Sequence, residues 1–280
     1  MVLQSIRDLT SWTKKNSSSI GFVPTMGCLH EGHLSLIREA KKQNDKVVVS
    51  IFVNPLQFEK NEDLSSYPRP IERDLQLCQN EDVNAVFCPH ANDLYIQGRT
   101  ATIDGGDLTK RYCGKTRPGH FTGVLTVVNI LLNLVKPTRA YFGEKDFQQL
   151  VLIKQMCRDL WHGVEIIPMP TIRENTGLAL SSRNTYLTQK QRQNALCLHS
   201  AILKTQQAVH FGHTNSIQLI SLATQIIQST PGMTLDYAHI VDEKTLQPVG
   251  NVVTRRARLL LAAFIGDSPR VRLIDNGALL

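Results

Sequence analysis

An alternation of short apolar runs with amphipathic helical patterns is the feature that most constrains the fold. Residues 20–24 and 47–53 are rich in β-branched side chains and almost wholly apolar, as expected for strands buried on both faces of a parallel sheet. Between them, Leu34, Ile37 and Lys41 mark an amphipathic helix. Further strand patterns lie at residues 83–88, 139–142 and 164–168, and further helix patterns at 71–77, 123–135 and 147–160. This order predicts an α/β fold, a doubly wound parallel sheet with right-handed crossovers.

The pattern changes after about residue 170. Helical spacing comes first, and strand-like runs follow. The helix patterns lie at 189–212 and 217–229, and the strand patterns at 235–241, 258–265 and 271–274. Helices followed by strands predict a smaller C-terminal α+β domain with an antiparallel sheet. We therefore expect two domains, residues 1–171 and residues 172–280.

Composition narrows the class of protein. The chain of 280 residues is 42% hydrophobic and 20% charged, as in proteins with a sizeable core. Residues 124–135 are the longest nearly apolar segment, too short and too polar to span a bilayer. The N-terminus lacks the pattern of a secretory signal, and the six cysteines form no C-x-x-C pair. We expect a cytoplasmic protein with reduced thiols. The net charge of +7 suits a nucleotide or RNA equally, but no basic run resembles a nucleic-acid arm.

The segment FVPTMGCLHEGHLSLI, residues 22–37, joins the first predicted strand to the first predicted helix. Gly27 and Gly32 permit close backbone approach, and a helix N-terminus at the end of a strand suits phosphate. His30 and His33 are three apart, so both can face bound phosphates and donate hydrogen bonds as charge builds up during displacement at phosphorus. They could instead be zinc ligands or cap the helix. The H-E-G-H spacing is not the metalloprotease H-E-x-x-H, and the strand and Pro-Thr-Met-Gly before it favour a nucleotide site.

Two later segments have the same chemical character. In YFGEKDFQQL, residues 141–150, Gly143 frees the backbone, Lys145 supplies a cation, and Asp146 could cap a helix or bond a hydroxyl. In LALSSRN, residues 178–184, two hydroxyls and an arginine could clamp a polyphosphate. Taken alone, YFGEKDFQQL is explained at least as well by a capped helix with solvated charges, and LALSSRN is better explained by an ordinary polar loop. Together with the histidine segment they favour one triphosphate site.

Other polar residues lie at predicted strand ends. Asn54 and Gln57 in VNPLQF suit recognition of hydroxyls and carboxylates, or form a turn. Arg117 and His120 in RPGHFTGV are possible anion contacts. Cys28 is expected to be a small accessible thiol without a paired base.

Five segments, PTMGCLHEGH, SIFVNPLQF, RPGHFTGV, FGEKDFQQL and LALSSRN, together resemble the pantothenate synthetase (pantoate–β-alanine ligase) family, from about residue 21 to residue 276. The first segment alone resembles the wider superfamily of nucleotidyltransferases with an H-x-G-H motif. The resemblance implies a Rossmann-like nucleotide- and pantoate-binding domain, a C-terminal lid domain and a homodimer. It also implies an AMP-forming ligase that converts pantoate and ATP to pantoyl adenylate, then joins it to β-alanine.

The resemblance also implies roles for residues at matching positions. His33 would be the proton donor, with His30, Lys145 and Arg183 acting on the phosphates. ATP would be bound by Met26, Gly27, Cys28, Leu29, His30, Glu31, Gly32, His33, Gly143, Glu144, Lys145, Asp146, Ile172, Leu180, Ser181, Ser182 and Arg183. Gln57 and Gln149 would bind pantoate, and Gln57 would also lie near β-alanine. An acidic pair that can hold Mg²⁺ in some relatives is reduced here to Arg73-Asp74, so Asp74 is a weak metal ligand and the phosphates would carry most of the Mg²⁺.

Two alternatives stay open at this level. One is a nucleotidyltransferase that stops after adenylyl transfer. The other is an RNA-binding protein derived from an aminoacyl-tRNA synthetase. The lack of basic runs argues against this second alternative. The preferred interpretation involves small-molecule substrates, no nucleic acid and no membrane.

Overall fold

The computed structural model describes residues 1–16, 18–59, 62–253, 256–267 and 270–280. The strands in these ranges are β1 (Val2–Leu3), β2 (Ile20–Thr25), β3 (Lys46–Ile51), β4 (Ala85–Phe87), β5 (Arg139–Gly143), β6 (Glu165–Met169), β7 (Met233–Asp242), β8 (Ala257–Ile265) and β9 (Val271–Ala278). The α-helices are α1 (Ile6–Lys15), α2 (Glu31–Gln43), α3 (Ile71–Asn80), α4 (Ala91–Leu94), α5 (Cys113–Thr116), α6 (His120–Val135), α7 (Phe147–Asp159), α8 (Gln189–Ala195), α9 (Cys197–His210) and α10 (Ser216–Gln228). Short 3-10 turns lie at Pro55–Gln57, Gly106–Lys110, Glu144–Asp146 and Ser182–Tyr186. No helix in the described ranges is long and apolar enough to cross a membrane.

The strands form two sheets, which confirms the predicted fold class. Six parallel strands are ordered β1-β4-β3-β2-β5-β6, and three antiparallel strands are ordered β7-β8-β9. β2 lies between β3 and β5, where the strand order reverses. In doubly wound sheets ligands bind at such a switch point, beyond the carboxyl ends of the strands. Here β2 leads into the histidine segment, and β5 ends at Gly143, which Glu144 follows.

The chain folds as two compact units. The first comprises Met1–Glu144 and Leu152–Pro170, and the second comprises Lys145–Val151 and Thr171–Leu280. The predicted division into residues 1–171 and 172–280 stays a prediction. The segment Lys145–Val151 precedes that division in sequence but groups with the C-terminal residues.

Each unit has a core that its sequence pattern explains. In the first, Leu34 and Ile37 of α2 share a buried cluster with Val47 and Val49 of β3. In the second, a larger cluster joins α9 and α10 to the antiparallel sheet, with Leu198 and Leu259 among its members. α6 is apolar on most sides and correspondingly buried.

Three features differ from the sequence-based prediction. The sequence-based prediction lacks β1 and α1; β1 has only two residues, too few to show a period. Ser5 caps α1, since its hydroxyl accepts the Asp8 N–H at 3.1 Å. The predicted helix at 189–212 is two helices that meet at Leu196. β9 continues past its predicted end to Ala278 because Asp275 and Asn276 pair with β8 despite their polarity.

Gly123 of α6 lets that helix lie directly against the turn Pro55–Gln57. A Cβ placed at residue 123 would lie 2.2 Å from the Leu56 carbonyl oxygen and 2.7 Å from the Gln57 nitrogen. Both neighbours are backbone atoms, so no side-chain rotation can relieve the clash.

We expect Gly123→Ala to lower the free energy of unfolding by about 1–3 kcal/mol, the usual cost of overpacking. Urea denaturation measures this loss. Gly163→Ala is the matched control in the same unit, because among the described residues no atom outside its immediate neighbours lies within 4 Å of a Cβ there. Equal stability of the two variants would contradict the prediction.

Candidate active site

The loop after β2 makes a tight turn at Gly27, which the Thr25 hydroxyl holds in place. Gly27 has a φ of +81°, and a Cβ there would lie 2.9 Å from an Asp74 carboxylate oxygen. The Gly27 N–H donates to the Thr25 hydroxyl at 3.1 Å, and that hydroxyl donates to the Ser50 carbonyl at 2.8 Å. The turn thus fastens the end of β2 to the end of β3, and only glycine fits its position 27 without strain.

Asp74 of α3 holds the same loop through its side chain. Its two carboxylate oxygens accept the N–H groups of Cys28 and Leu29 at 2.7 and 2.8 Å. Burial raises the pKa of the Asp74 carboxyl, while the two N–H bonds oppose that rise. Sequence reasoning proposed Asp74 as a weak metal ligand and missed this role. Among the described residues, no group of three His, Cys, Asp or Glu side chains is placed to hold a metal ion.

The two histidines come together at the N-terminus of α2. The helix begins at Glu31, with His30 in the capping position, and the two imidazole centroids lie 4.1 Å apart. The His33 Nδ1 accepts the His30 backbone N–H at 3.3 Å. An accepting Nδ1 carries no hydrogen, so neutral His33 carries its hydrogen on Nε2 and donates from there. This assignment suits a residue that donates to a phosphate oxygen.

The structure shows the surroundings of two neighbours of the histidines, Cys28 and Glu31. Cys28 is buried, with 5% of its surface exposed, so the expectation of an accessible thiol was wrong. Its backbone has a φ of +50°, in the left-handed region. Glu31 is exposed and forms an ion pair with Arg38 on the solvent side of α2. The backbone of these residues, more than their side chains, shapes the loop.

Gln57 is buried beside the histidine loop. Its amide nitrogen lies 2.8 Å from the Met26 sulfur, and its amide oxygen accepts from Asn54 at 3.1 Å. Asn54 also donates to the Gly123 carbonyl and accepts from the Tyr95 hydroxyl, at 3.1 and 2.7 Å. Burial raises the pKa of Tyr95, which keeps the phenol protonated as a donor. The structure therefore brings together Gln57 and Met26, residues assigned by resemblance to different substrates.

Arg117 and His120 face Gln57 and Glu62. Arg117 pairs with Glu62 through two nitrogens, and both Arg117 and His120 contact the Gln57 carbonyl. Glu62 already neutralises the guanidinium charge. The suggestion that these two residues contact an anionic substrate is therefore not supported by their geometry.

In the second unit, Lys145 lies in the 3-10 turn that precedes α7. Its ammonium group is 3.6 Å from the Asp146 carboxylate, and its backbone carbonyl accepts the Asn276 side-chain amide at 2.9 Å. Asn276 in turn accepts from Arg258 at 2.7 Å, and the Arg258 guanidinium lies 4.0 Å above the Phe147 ring. No sequence pattern pointed to Asn276 or Arg258, because both are remote in sequence from the turn that they support.

Two other predicted residues lie near this turn along the chain. Gln149 is half-buried on α7, four residues after Lys145 in the sequence. A Cβ at Gly143 would meet no atom within 4 Å among the described residues, so space is open at that backbone.

The segment Leu180–Arg183 is held in place by hydrogen bonds to its backbone. The Leu180 N–H donates to the Ile172 carbonyl at 3.0 Å, and the Ser181 hydroxyl caps the following 3-10 turn by accepting the Arg183 N–H at 3.3 Å. Ser182 is buried, whereas Ser181 and Arg183 are partly exposed. The hydroxyls and the guanidinium are thus presented from a capped turn.

Comparison with known proteins finds relatives over nearly the whole length of the chain. A family model described as Pantoate-beta-alanine ligase matches residues 1–278. The pantothenate synthetase of Thermosipho africanus is 45% identical over 274 residues, which cover 98% of this chain and 97% of that protein. The pantothenate synthetase of Trichlorobacter lovleyi is 48% identical over 277 residues, with 99% and 96% covered.

Solved structures are similar over the same length. The pantothenate synthetase of Thermus thermophilus has a TM-score of 0.94 at 41% identity, with 99% of each chain covered. A pantoate-beta-alanine ligase of Francisella tularensis, complexed with beta-gamma ATP and beta-alanine, has a TM-score of 0.83 at 39% identity, covering 100% of this chain and 97% of that one. The family model and these relatives, together with the five motifs, show that this chain belongs to the pantoate-beta-alanine ligase family.

Proposed function

We propose that this chain condenses pantoate with β-alanine in two ATP-dependent steps. The pantoate carboxylate attacks the α-phosphorus of ATP, which forms pantoyl adenylate and releases pyrophosphate. The β-alanine amine then attacks the acyl carbon, which forms pantothenate and releases AMP. Membership of a family of ATP-dependent ligases supports this, as does a relative complexed with beta-gamma ATP and beta-alanine.

The contact between Gln57 and Met26 is the observation that carries the proposal. It places a buried amide next to the loop that ends in His30 and His33. An amide suits the hydroxyl and carboxylate groups of pantoate, and the loop suits phosphate. A hydroxy acid bound there would have its carboxylate beside the nucleotide, which favours a ligase over an enzyme that only transfers adenylyl groups.

His33 is proposed as the main donor in the first step. With Nδ1 held by the His30 N–H, its Nε2–H can donate to a phosphate oxygen as the bond to pyrophosphate breaks. His30, whose ring lies against that of His33, is proposed to contact the phosphates beside it. The backbone N–H groups at the start of α2 favour the same negative charge.

The second unit is proposed to supply the remaining phosphate and adenosine contacts. Lys145 and Arg183 would balance phosphate charge, Ser181 and Ser182 would donate hydroxyl hydrogen bonds, and Gln149 would assist Gln57 with pantoate. The other proposed ATP contacts are, in the first unit, Met26, Gly27, Cys28, Leu29, Glu31, Gly32, Gly143 and Glu144, and, in the second, Asp146, Ile172 and Leu180. Residues 172–280 would act as a lid domain.

Mg²⁺ is proposed to enter with ATP and not on a protein site. The Asp74 oxygens each accept a backbone N–H, so this carboxylate is committed to holding the loop. A homodimer in the cytoplasm, acting on small molecules without nucleic acid or membrane, completes the proposal.

An exchange assay tests the proposed reaction directly. We expect labelled pyrophosphate to enter ATP only when pantoate is present, and pantothenate to form once β-alanine is added. Release of pyrophosphate with neither AMP nor pantothenate after β-alanine is added would instead support a nucleotidyltransferase that stops after adenylyl transfer.

We expect His33→Ala to slow pantoate-dependent ATP–pyrophosphate exchange by about 100-fold or more, as for other lost donors to developing charge. The far-ultraviolet circular dichroism should stay unchanged, because His33 is only partly buried. His162→Ala is the control, since His162 bonds Asn129 on the outer part of α6 and takes no part in the proposed site. Near-normal exchange in His33→Ala would remove the residue from the mechanism.

We expect Arg183→Ala to slow pyrophosphate release and to leave the reaction of preformed pantoyl adenylate with β-alanine within about 3-fold of wild type. Removing a charge-assisted contact costs most when the full triphosphate is bound. Rapid-quench measurement of each half-reaction separates the two steps. Arg158→Ala is the matched control, because it removes the same charge at an exposed position. An unchanged pyrophosphate-release rate in Arg183→Ala would contradict its assignment.

Asp74→Asn separates a structural role from a metal role. The variant replaces one accepting oxygen with an N–H group that faces a backbone N–H. We expect a loss of about 1–3 kcal/mol in unfolding free energy and a raised KM for ATP. Both effects should persist at every Mg²⁺ concentration. A variant with wild-type stability whose activity returns at high Mg²⁺ would show that Asp74 is a metal ligand.

A further inference from the structure

The carbonyl of Gln57 is held by two buried side chains from one segment. The His120 Nδ1 lies 2.8 Å from this oxygen, and an Arg117 nitrogen donates to it at 3.2 Å. Both residues are 8% exposed. A backbone carbonyl that receives two side-chain donors is fixed more firmly than the usual turn residue.

The tautomer of His120 follows from its partners. A carbonyl oxygen can only accept, so His120 Nδ1 must carry a hydrogen. The His120 Nε2 lies 3.0 Å from a second Arg117 nitrogen, which can only donate, so Nε2 accepts. His120 is therefore a neutral ring in one fixed orientation, between Arg117 and Gln57.

Glu62 fixes the arginine in turn. Its two oxygens receive two Arg117 nitrogens, one of them at 2.7 Å. Burial acts to raise the pKa of Glu62, but the hydrogen bond and charge of Arg117 and the Glu59 backbone N–H act against it, and the pKa is lowered below its usual value. The charge of Arg117 is thus balanced within the protein and serves to orient neighbours.

We propose that Arg117 and His120 are positioning residues that set the affinity for the acid substrate through the backbone of Gln57. This rests on the proposed function, in which Gln57 binds pantoate. Asn54 holds the Gln57 side-chain oxygen, and His120 with Arg117 holds its carbonyl. With both ends fixed, the amide nitrogen is directed to the side of Met26. Loss of the carbonyl contact lets the turn Pro55–Gln57 rotate and misplaces that nitrogen.

Two substitutions of His120 distinguish the contact from the bulk of the ring. His120→Asn keeps an N–H close to the position of Nδ1, whereas His120→Gln places its amide nearer the position of Nε2. We expect His120→Gln to raise the KM for pantoate about 10-fold, the effect of one lost buried hydrogen bond. We expect His120→Asn to stay within about 3-fold of wild type, and the KM for ATP to change less than about 2-fold in both. His162→Gln is the matched control.

A double-mutant cycle tests whether the effect passes through Gln57. In a Gln57→Ala background, His120→Gln should add less than about 2-fold to the KM for pantoate, because the side chain that it positions is gone. Arg117→Lys, which keeps the charge but loses the planar fork, should behave like His120→Gln in both backgrounds.

Three results would overturn the positioning role. These are an equal rise in the KM for ATP, an Asn variant no better than the Gln variant, or full additivity with Gln57→Ala. Wild-type enzyme is assayed first for pantothenate formation. Failure there counts against the proposed function, whereas failure of the variant pattern in an active enzyme counts only against positioning.

Discussion

The carboxylate of Asp74 holding the backbone N–H groups of Cys28 and Leu29 is the interaction on which the first site depends. The loop leaves β2 through Gly27 at a positive φ, and the backbone N–H groups of Cys28 and Leu29 then point to the buried Asp74 side chain. Without a buried acceptor, these two groups would be unsatisfied inside the protein, at a cost of about 1–3 kcal/mol each. Asp74 satisfies both, so the two histidines that follow start from a fixed backbone.

A common arrangement recurs in both units. Gln57 and Lys145 are both proposed to act on substrate, and in each the backbone carbonyl is held by a side chain from elsewhere in the chain. His120 holds the first and Asn276 holds the second. Holding the backbone leaves the side chain to contact a ligand while limiting its freedom, which is the preorganisation that alignment-based catalysis requires.

The proposed chemistry matches the character of these groups. A carboxylate attacking phosphorus needs the negative charge of a triphosphate to be balanced and the two reactants to be aligned. Imidazole donors, a helix N-terminus and a buried amide lie together in the first unit. The second unit carries an ammonium on the turn before α7, and hydroxyls and a guanidinium at a capped turn. Family membership and these groups agree on an acid-activating ligase.

The sequence by itself determined the layered fold and the motifs, because burial on both faces of a strand and on one side of a helix leaves a local period. It also placed His30 and His33 together, since a spacing of three in a helix is local geometry. Only the tertiary structure decided that Asp74 clamps a loop 45 residues away and that Asn276 supports a turn 131 residues away. It also turned Arg117 and His120 inward, because Glu62 and the Gln57 carbonyl offer them buried partners that no local pattern reveals. Such contacts depend on strand order and packing, which bring distant residues together without leaving a signal in either segment alone.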